Sequence, residues 1–214
     1  MTEIYLIRHA QSVGNIEKRL TGRVDYLLTD EGKNQVRKLT ERLKDIHFDV
    51  AYSSPCVRAV ETIKPLAEIN NIDITVDDML SEMYFGIYDG FKWEEVNRID
   101  ESISNNRAQT NEIAGIPNQE TTEEVKNRMY NEILKIANEN KGKTILIASH
   151  GVAIEAFLRK ITGEPFSIKK QEYSQKNTSI NVVQYDEEKD KFEIKLLNDL
   201  NHLQYNINYE ITRN

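Results

Sequence analysis

The chain has 214 residues and a formal net charge of −7, a length suited to one domain with a substantial buried core. Its acidic balance disfavours non-specific attraction to nucleic acid, so an anionic ligand needs a local cluster of cations. A single cysteine, Cys56, excludes an internal disulfide, no run has the apolar length of a membrane span, and the opening MTEIYLIRHA is too briefly apolar for a secretion signal, so a cytoplasmic protein without nucleic acid or membrane partners is expected.

Glu3–Arg8 is a continuous apolar run ending in a charge and reads as a short buried strand. Residues 9–28 lack periodicity and read as a functional loop. Thr29 then resembles an N-cap, Asp30 and Glu31 suit a first turn, and Val36, Leu39 and Leu43 carry a helical stripe to about Asp45. Asp49–Ser53 reads as a second strand, Cys56–Asn70 as a second helix and Asp73–Val76 as a weaker third strand. Residues 81–118 combine a loop rich in glycine and aromatics, a polar helical patch at Trp93–Ile99 and an irregular run Glu101–Glu112. Thr121 or Thr122 caps a helix through Asn138, with Val125, Met129, Ile133 and Ile136 on one face. Lys143–Ser149 is the clearest buried strand and Val152–Ile161 is helical. Two late strands, Ser179–Tyr185 and Lys191–Leu197, flank the charged turn DEEKD.

Strands alternating with helices predict an α/β fold, a three-layer α/β/α arrangement with a mainly parallel central sheet, helices on both faces and the late strands as an antiparallel edge. One domain over 1–214 is expected, with residues 81–118 as an insertion near the site. The late strands and the polar run NHLQYNINYEITRN offer contact surfaces, and a homodimer is the assembly they suggest.

In open α/β sheets ligands bind beyond the carboxyl ends of strands. Arg8-His9, Ser54 and Ser149-His150-Gly151 each follow a predicted strand, so three distant segments converge on one pocket. A neutral imidazole can attack phosphorus, and guanidinium groups bond two phosphoryl oxygens at once. An imidazole is then the nucleophile, Arg8 and Arg58 are the candidate cations around the phosphoryl group, and His150, if protonated, adds a third. Glu82 can protonate the leaving alkoxide, which requires a protonated carboxyl, favoured by burial or by nearby carboxylates. With Asp77, Asp78 and Asp89 close by in sequence, Glu82 also reads as an ordinary loop acid.

The segments RHAQSVGN (8–15), TGRVDYLLTDEG (21–32), SSPCVRAVET (53–62), LSEMYFGIYDG (80–90) and SHG (149–151) together resemble the histidine phosphatase superfamily, the group that includes cofactor-dependent phosphoglycerate mutase. The resemblance implies phosphorylation of His9, retention of the phosphoryl group by Arg8, Arg58 and His150, and proton donation by Glu82. It places Asn15, Thr21, Gly22 and the backbone at Gly151 on the substrate side. Gln11 and Ser12 are further candidates for substrate contact, with loop structure as the other reading.

The chain departs from the family at Ala10, where glycine is usual, and at Tyr88-Asp89-Gly90, where tryptophan-glutamate-glycine is common. Mutases resemble one another in a Glu-Arg-His-Tyr-type segment and a later arginine pair. Here Met83 and Tyr84 follow Glu82, and only the scattered Lys92, Arg98 and Arg107 lie downstream. The resemblance therefore points to the phosphatase branch, with a small phosphorylated metabolite as substrate. Mutase activity and phosphate binding without turnover are the alternatives. No metal-ligand spacing such as H-E-x-x-H occurs and a cationic pocket repels a divalent ion, so neither metal nor cofactor is expected. His47 and His202 read as structural, Cys56 as a small buried thiol, and Trp93 with Phe91 and Tyr88 as core or lid packing rather than a substrate wall.

Overall fold

The computed structural model describes residues 1–99, 103, 115–166 and 171–203. The run Glu101–Glu112, apart from residue 103, and the last part of the polar C-terminal run lie outside them. The strands are β1 (Thr2–Arg8), β2 (Val50–Ser53), β3 (Ile74–Val76), β4 (Thr144–Ser149), β5 (Ile180–Asp186) and β6 (Lys191–Asp199). The helices are α1 (Val13–Ile16), α2 (Asp30–Leu43), α3 (Val57–Asn70), α4 (Trp93–Ile99), α5 (Thr122–Glu139) and α6 (Gly151–Thr162). The predicted strands and helices from Glu3 to Leu197 match these within a few residues, and the loop 9–28 contains the short α1.

Local chemistry accounts for the helix ends. Thr29 caps α2 by accepting from the Gly32 amide, and Thr121 and Glu124 form a reciprocal capping box at the start of α5. Asn71 and Gly163 close α3 and α6 in the left-handed conformation.

The six strands form one sheet in the order β3-β2-β4-β1-β5-β6. It is mixed rather than mainly parallel: β1 with β4, β2 with β3 and β2 with β4 pair parallel, but β5 runs antiparallel to both β1 and β6. The cause lies in the connection after α6. It returns to the carboxyl end of β1, where the Thr178 amide donates to the Arg8 carbonyl at 3.1 Å. A strand leaving from that point beside β1 must run against it. The antiparallel part therefore reaches the sheet's centre instead of being confined to an edge pair.

Alternation along β1 separates two cores, as the pleat requires. Ile4 and Leu6 pack with Val125, Met129, Ile133 of α5 and Ile154, Phe157 of α6. Ile7, with Leu146 and Ala148 of β4, packs against Leu39 and Leu43 of α2 and Ile63 and Leu66 of α3. Two layers of helix thus cover a central sheet, as the alternating sequence pattern predicts. No helix among the described residues is long and apolar enough to cross a membrane.

Leu66 is completely buried between α3 and the sheet, while Leu27 is 70% exposed. Leu66→Ala is expected to cost about 2–5 kcal/mol and Leu27→Ala less than about 0.5 kcal/mol. Urea denaturation of the two variants checks this, and similar midpoints for both would contradict the packing described.

Candidate active site

Strand order and register bring the chemistry together. Arg8 of β1 lies opposite Ser149 of β4, and Ser53 of β2 lies opposite Ala148. The residues just beyond those ends, His9, Ser54 and His150, therefore emerge side by side. The His9 and His150 ring centroids are 5.1 Å apart with planes inclined at 58°.

The protonation pattern follows from hydrogen-bond partners. His9 Nδ1 lies 2.8 Å from the Ala10 carbonyl, an acceptor, so Nδ1 carries the hydrogen and the Nε2 lone pair is available. His150 Nδ1 lies 3.3 Å from Arg58 Nη2, which can only donate, so the neutral ring holds its hydrogen on Nε2 and donates to Ser54 Oγ at 2.6 Å. Both imidazoles are held well below their ordinary pKa. Burial is the main cause for each, reinforced at His9 by Arg8 and Arg58 and at His150 by Arg58, His9 and Arg8. Ala10 is absent from the positive-φ residues and its amide donates to Thr62 Oγ1 at 2.8 Å, so its backbone makes no demand for glycine.

Arg58, on the first turn of α3, is fully buried. Its Nη1 donates to the Val24 carbonyl and to Asp25 Oδ1, and its Nη2 to the Thr21 and Gly22 carbonyls, all at 3.0 Å. Asp25 also accepts from the Val57 amide. Arg8 Nη1 donates to the Gln175 carbonyl at 2.7 Å. Yet the Nε of Arg8 and the Nε of Arg58 are both buried with no hydrogen-bond partner. Unsatisfied buried guanidinium donors are costly, and such a pair can serve as a cradle for an anion.

Glu82 faces the same place from another direction. Its Oε1 accepts from the Met83 and Ala153 amides at 2.9 and 3.0 Å, and its Oε2 from the Val152 amide at 3.1 Å. The first amides of α6 thus hold the carboxylate, an arrangement the helix dipole favours. A Cβ on Gly151 would lie 3.4 Å from Arg8 Nε and 3.8 Å from Glu82 Oε2, which puts Gly151 between cradle and carboxylate. The neighbouring acids are engaged elsewhere: Asp77 accepts from the Met79 amide, and Asp89 from the amides of Gly22, Arg23 and Val24 at 2.7–3.2 Å.

Sequence reasoning missed two positioning residues. Arg128 of α5 donates to the carbonyls of Met79, Ser81 and Glu82 and is paired with Glu120 at 2.6 Å, so it clamps the loop that presents Glu82. Asn177 donates to the His9 carbonyl at 3.0 Å and to Asn15 Oδ1 at 3.1 Å. Asn15 Oδ1 also accepts from the Ser12 amide, which leaves its amide nitrogen as the group that can face a ligand. The sequence offered only a helical period around Arg128, and nothing beside that residue marks its contacts with the distant 79–82 carbonyls.

A cavity of about 240 Å³ opens beside these groups. Arg8, Glu82, Asn15, Thr21 and Gly151 line it, and His9, Arg58 and His150 lie buried behind that lining. Gly22 is not on the wall, but a Cβ there would come within 2.5 Å of the Met83 carbonyl, so it permits the close approach of two loops. Gln11 and Ser12 turn elsewhere: Gln11 Oε1 accepts from Thr29 Oγ1 at 2.9 Å, and Ser12 is fully buried against Asn15. Trp93 packs partly against the core, as expected, and also lines the cavity. Cys56 is buried at the N-cap of α3, and burial pushes its thiol pKa up. His202 bonds Thr178 Oγ1 at 3.0 Å, and His47 sits exposed 3.7 Å from Asp49.

A family model described as the histidine phosphatase superfamily (branch 1) matches residues 4–200. A Bacillus subtilis (strain 168) protein named uncharacterized phosphatase PhoE is 30% identical over 164 residues, 76% of this chain and 79% of its own. Phosphoglycerate mutase-like protein 4 of Arabidopsis thaliana is 27% identical over 208 residues, 94% of this chain and 87% of its own. Among solved structures, Bacillus stearothermophilus YhfR shares the fold at a TM-score of 0.88 and 24% identity, covering 95% of this chain and 100% of that one. A phosphoserine phosphatase from Entamoeba histolytica, in complex with 3-phosphoglyceric acid, shares it at 0.82 and 22% identity, with coverage of 95% and 100%.

The neutral imidazoles carry a consequence for stability. Folded His9 and His150 bind a proton less readily than in the unfolded chain, so below about pH 6.5 the unfolded state holds more protons. Stability is complete above that value and falls as pH drops through it, by up to about 1.4 kcal/mol per pH unit for each ring. Urea unfolding of the wild type and His9→Asn between pH 5 and 7.5 should show the shallower pH slope in the variant; parallel slopes would count against a buried neutral ring at position 9.

Proposed function

The chain belongs to the histidine phosphatase superfamily, and on that premise we propose that it is a phosphomonoester hydrolase acting on a small phosphorylated metabolite through a phosphohistidine at His9, with Glu82 as proton donor. The observation that carries this reading is the His9 tautomer: an available Nε2 lone pair, fixed by the Nδ1 bond to Ala10, beside two buried guanidinium groups whose Nε–H donors have no partner.

The steps follow from that geometry. The substrate's phosphoryl oxygens take the Nε–H donors of Arg8 and Arg58, which satisfies two buried donors that otherwise lack partners. A dianion beside His150 also favours its protonated form, which adds a third cation as charge spreads over the equatorial oxygens. His9 Nε2 forms a bond to phosphorus while the bond from phosphorus to the ester oxygen breaks. Protonated Glu82 gives its proton to the departing oxygen, and Oε2, with one amide partner against two at Oε1, is the oxygen suited to carry it. In the second half Glu82 takes a proton from water, whose oxygen bonds to phosphorus as the bond from nitrogen to phosphorus breaks. Inorganic phosphate leaves and His9 and Glu82 return to their starting states. No step calls for a metal or an organic cofactor.

Hydrolysis is favoured over phosphoglycerate mutation because a mutase must grip a carboxylate-bearing glycerate while the phosphoryl group is returned to it. Beyond Arg8, the arginine on the cavity wall is Arg19, already paired with Glu17 at 2.5 Å. Arg98 is exposed and paired with Glu94, and position 107 lies outside the described residues. The name of the Bacillus subtilis relative supports the phosphatase reading, and that of the Arabidopsis thaliana relative is the reason to assay mutase activity beside it.

Turnover of p-nitrophenyl phosphate and of a panel of small phosphomonoesters, with interconversion of 2- and 3-phosphoglycerate assayed in parallel, tests the proposal. Hydrolysis with acid-labile phosphorylation of the protein is the expected result, and His9→Ala should lose both. Phosphate binding with neither would establish the non-catalytic alternative. Glu82→Gln should lower kcat by about 10²–10⁴-fold on alkyl phosphates and much less on p-nitrophenyl phosphate, whose leaving group needs no proton. Arg128→Ala, acting only by loosening the Glu82 loop, should show the same leaving-group dependence at smaller size. Equal losses on both substrate types would remove Glu82 from the role of acid.

A further inference from the structure

The cavity lining is of mixed character. Arg8, Gly151 and Glu82 line it where the phosphoryl group is proposed to bind, and Leu20, Phe85 and Trp93 give it apolar and aromatic surface. Two further charged side chains line it among the described residues, Arg19 and Glu155. Arg19 is spent: its Nε bonds Glu17 at 2.5 Å, its Nη1 donates to the Gly90 carbonyl at 2.8 Å, and its guanidinium stands 5.8 Å over the Tyr26 ring.

Glu155 is different. It lies one turn along α6 from Gly151, on the same helix face. Its Oε1 accepts from Arg159 Nε at 2.9 Å, and Arg159 is itself fully buried, 4.9 Å from the Tyr173 ring centroid. Its Oε2 has no hydrogen-bond partner among the described residues although the residue is only 8% exposed. A mostly buried carboxylate with one unused oxygen, lining the cavity proposed to take the dianion, is a poor neighbour for any second anionic group on the substrate. It is a strong acceptor for a hydroxyl. The aromatic wall suits an apolar carbon face on the same ligand.

Building on the hydrolase reading, we propose that Glu155 selects the leaving group: it accepts a hydrogen bond from a hydroxyl of a sugar or polyol phosphate and rejects phosphomonoesters whose leaving group carries a carboxylate. A site built to hydrogen-bond a substrate hydroxyl discriminates strongly against an analogue lacking it, and here like-charge repulsion adds to that loss.

Glycerol 3-phosphate and 3-phosphoglycerate test this as a matched pair, because they differ only in a hydroxymethyl group against a carboxylate. The wild type should favour glycerol 3-phosphate in kcat/KM by about tenfold or more. Glu155→Gln, which removes the charge at constant shape, should bring the ratio below about threefold, and Glu155→Asp should retain the wild-type order. Equal or reversed preference in the wild type, or an unchanged ratio in a Glu155→Gln protein with a cooperative melting transition, overturns the assignment. If the Gln variant does not fold beside buried Arg159, competitive inhibition of wild-type p-nitrophenyl phosphate turnover by the two compounds decides, with weaker inhibition by 3-phosphoglycerate expected and equal inhibition overturning. Wild-type turnover of p-nitrophenyl phosphate with the wrong ratio defeats this assignment alone. Absence of all turnover defeats the hydrolase reading and this with it.

Discussion

Two guanidinium groups buried against two imidazoles are the constraint around which this molecule is arranged. Burial, with Arg58 beside it and Glu82 opposing, lowers the readiness of Arg8 to hold a proton, burial with both guanidinium groups lowers that of His9, and the one carboxylate in direct contact with either guanidinium among the described residues is Asp25, on Arg58. Like charges in a low-dielectric interior are expensive unless something holds them and something neutralises them. Backbone carbonyls do the holding: Val24, Thr21 and Gly22 for Arg58, and Gln175 for Arg8. Under the proposed function an anion supplies the rest, and the phosphoryl dianion of the substrate is its source.

The surrounding network keeps that arrangement from relaxing. Asp89 ties residues 22–24 to the segment after Glu82, Arg128 fastens the carbonyls of 79, 81 and 82, and Ser149 Oγ donates to the Leu80 carbonyl at 2.7 Å. Asn177 bridges the His9 carbonyl to Asn15. Each contact joins a loop to a strand end or helix, so the groups proposed to react sit on loops that the sheet and helices locate to fractions of an ångström. Electrostatic stabilisation of a transition state depends on that preorganisation, because donors that must first reorient lose their advantage.

The positions of His9, His150, Arg8 and Arg58 were legible because their neighbours in the chain mark strand exits, whereas Glu82 was named from its chemistry and the family resemblance alone. Helices α2, α3, α5 and α6 were legible for a similar reason, since amphipathic period and capping residues are local properties. Gln11 and Ser12 show the limit of such reading. They sit in the motif-bearing segment, yet one bonds the cap of α2 and the other is buried under Asn15. Arg128 shows the opposite failure, since its partners lie 46 to 49 positions away in the chain and nothing beside it marks the role.

By itself the sequence determined element type and which residues end each strand, because propensity, hydrophobic period and capping act over a few neighbouring residues. It also named His9, His150, Arg8, Arg58 and Glu82, which the fold brings into one region. Only the tertiary structure decided strand order, the antiparallel run of β5 beside β1, the tautomers of His9 and His150, and which side chains face the cavity. Those depend on hydrogen-bond partners and packing faces contributed by distant segments, and such pairings are set when the layers close on one another.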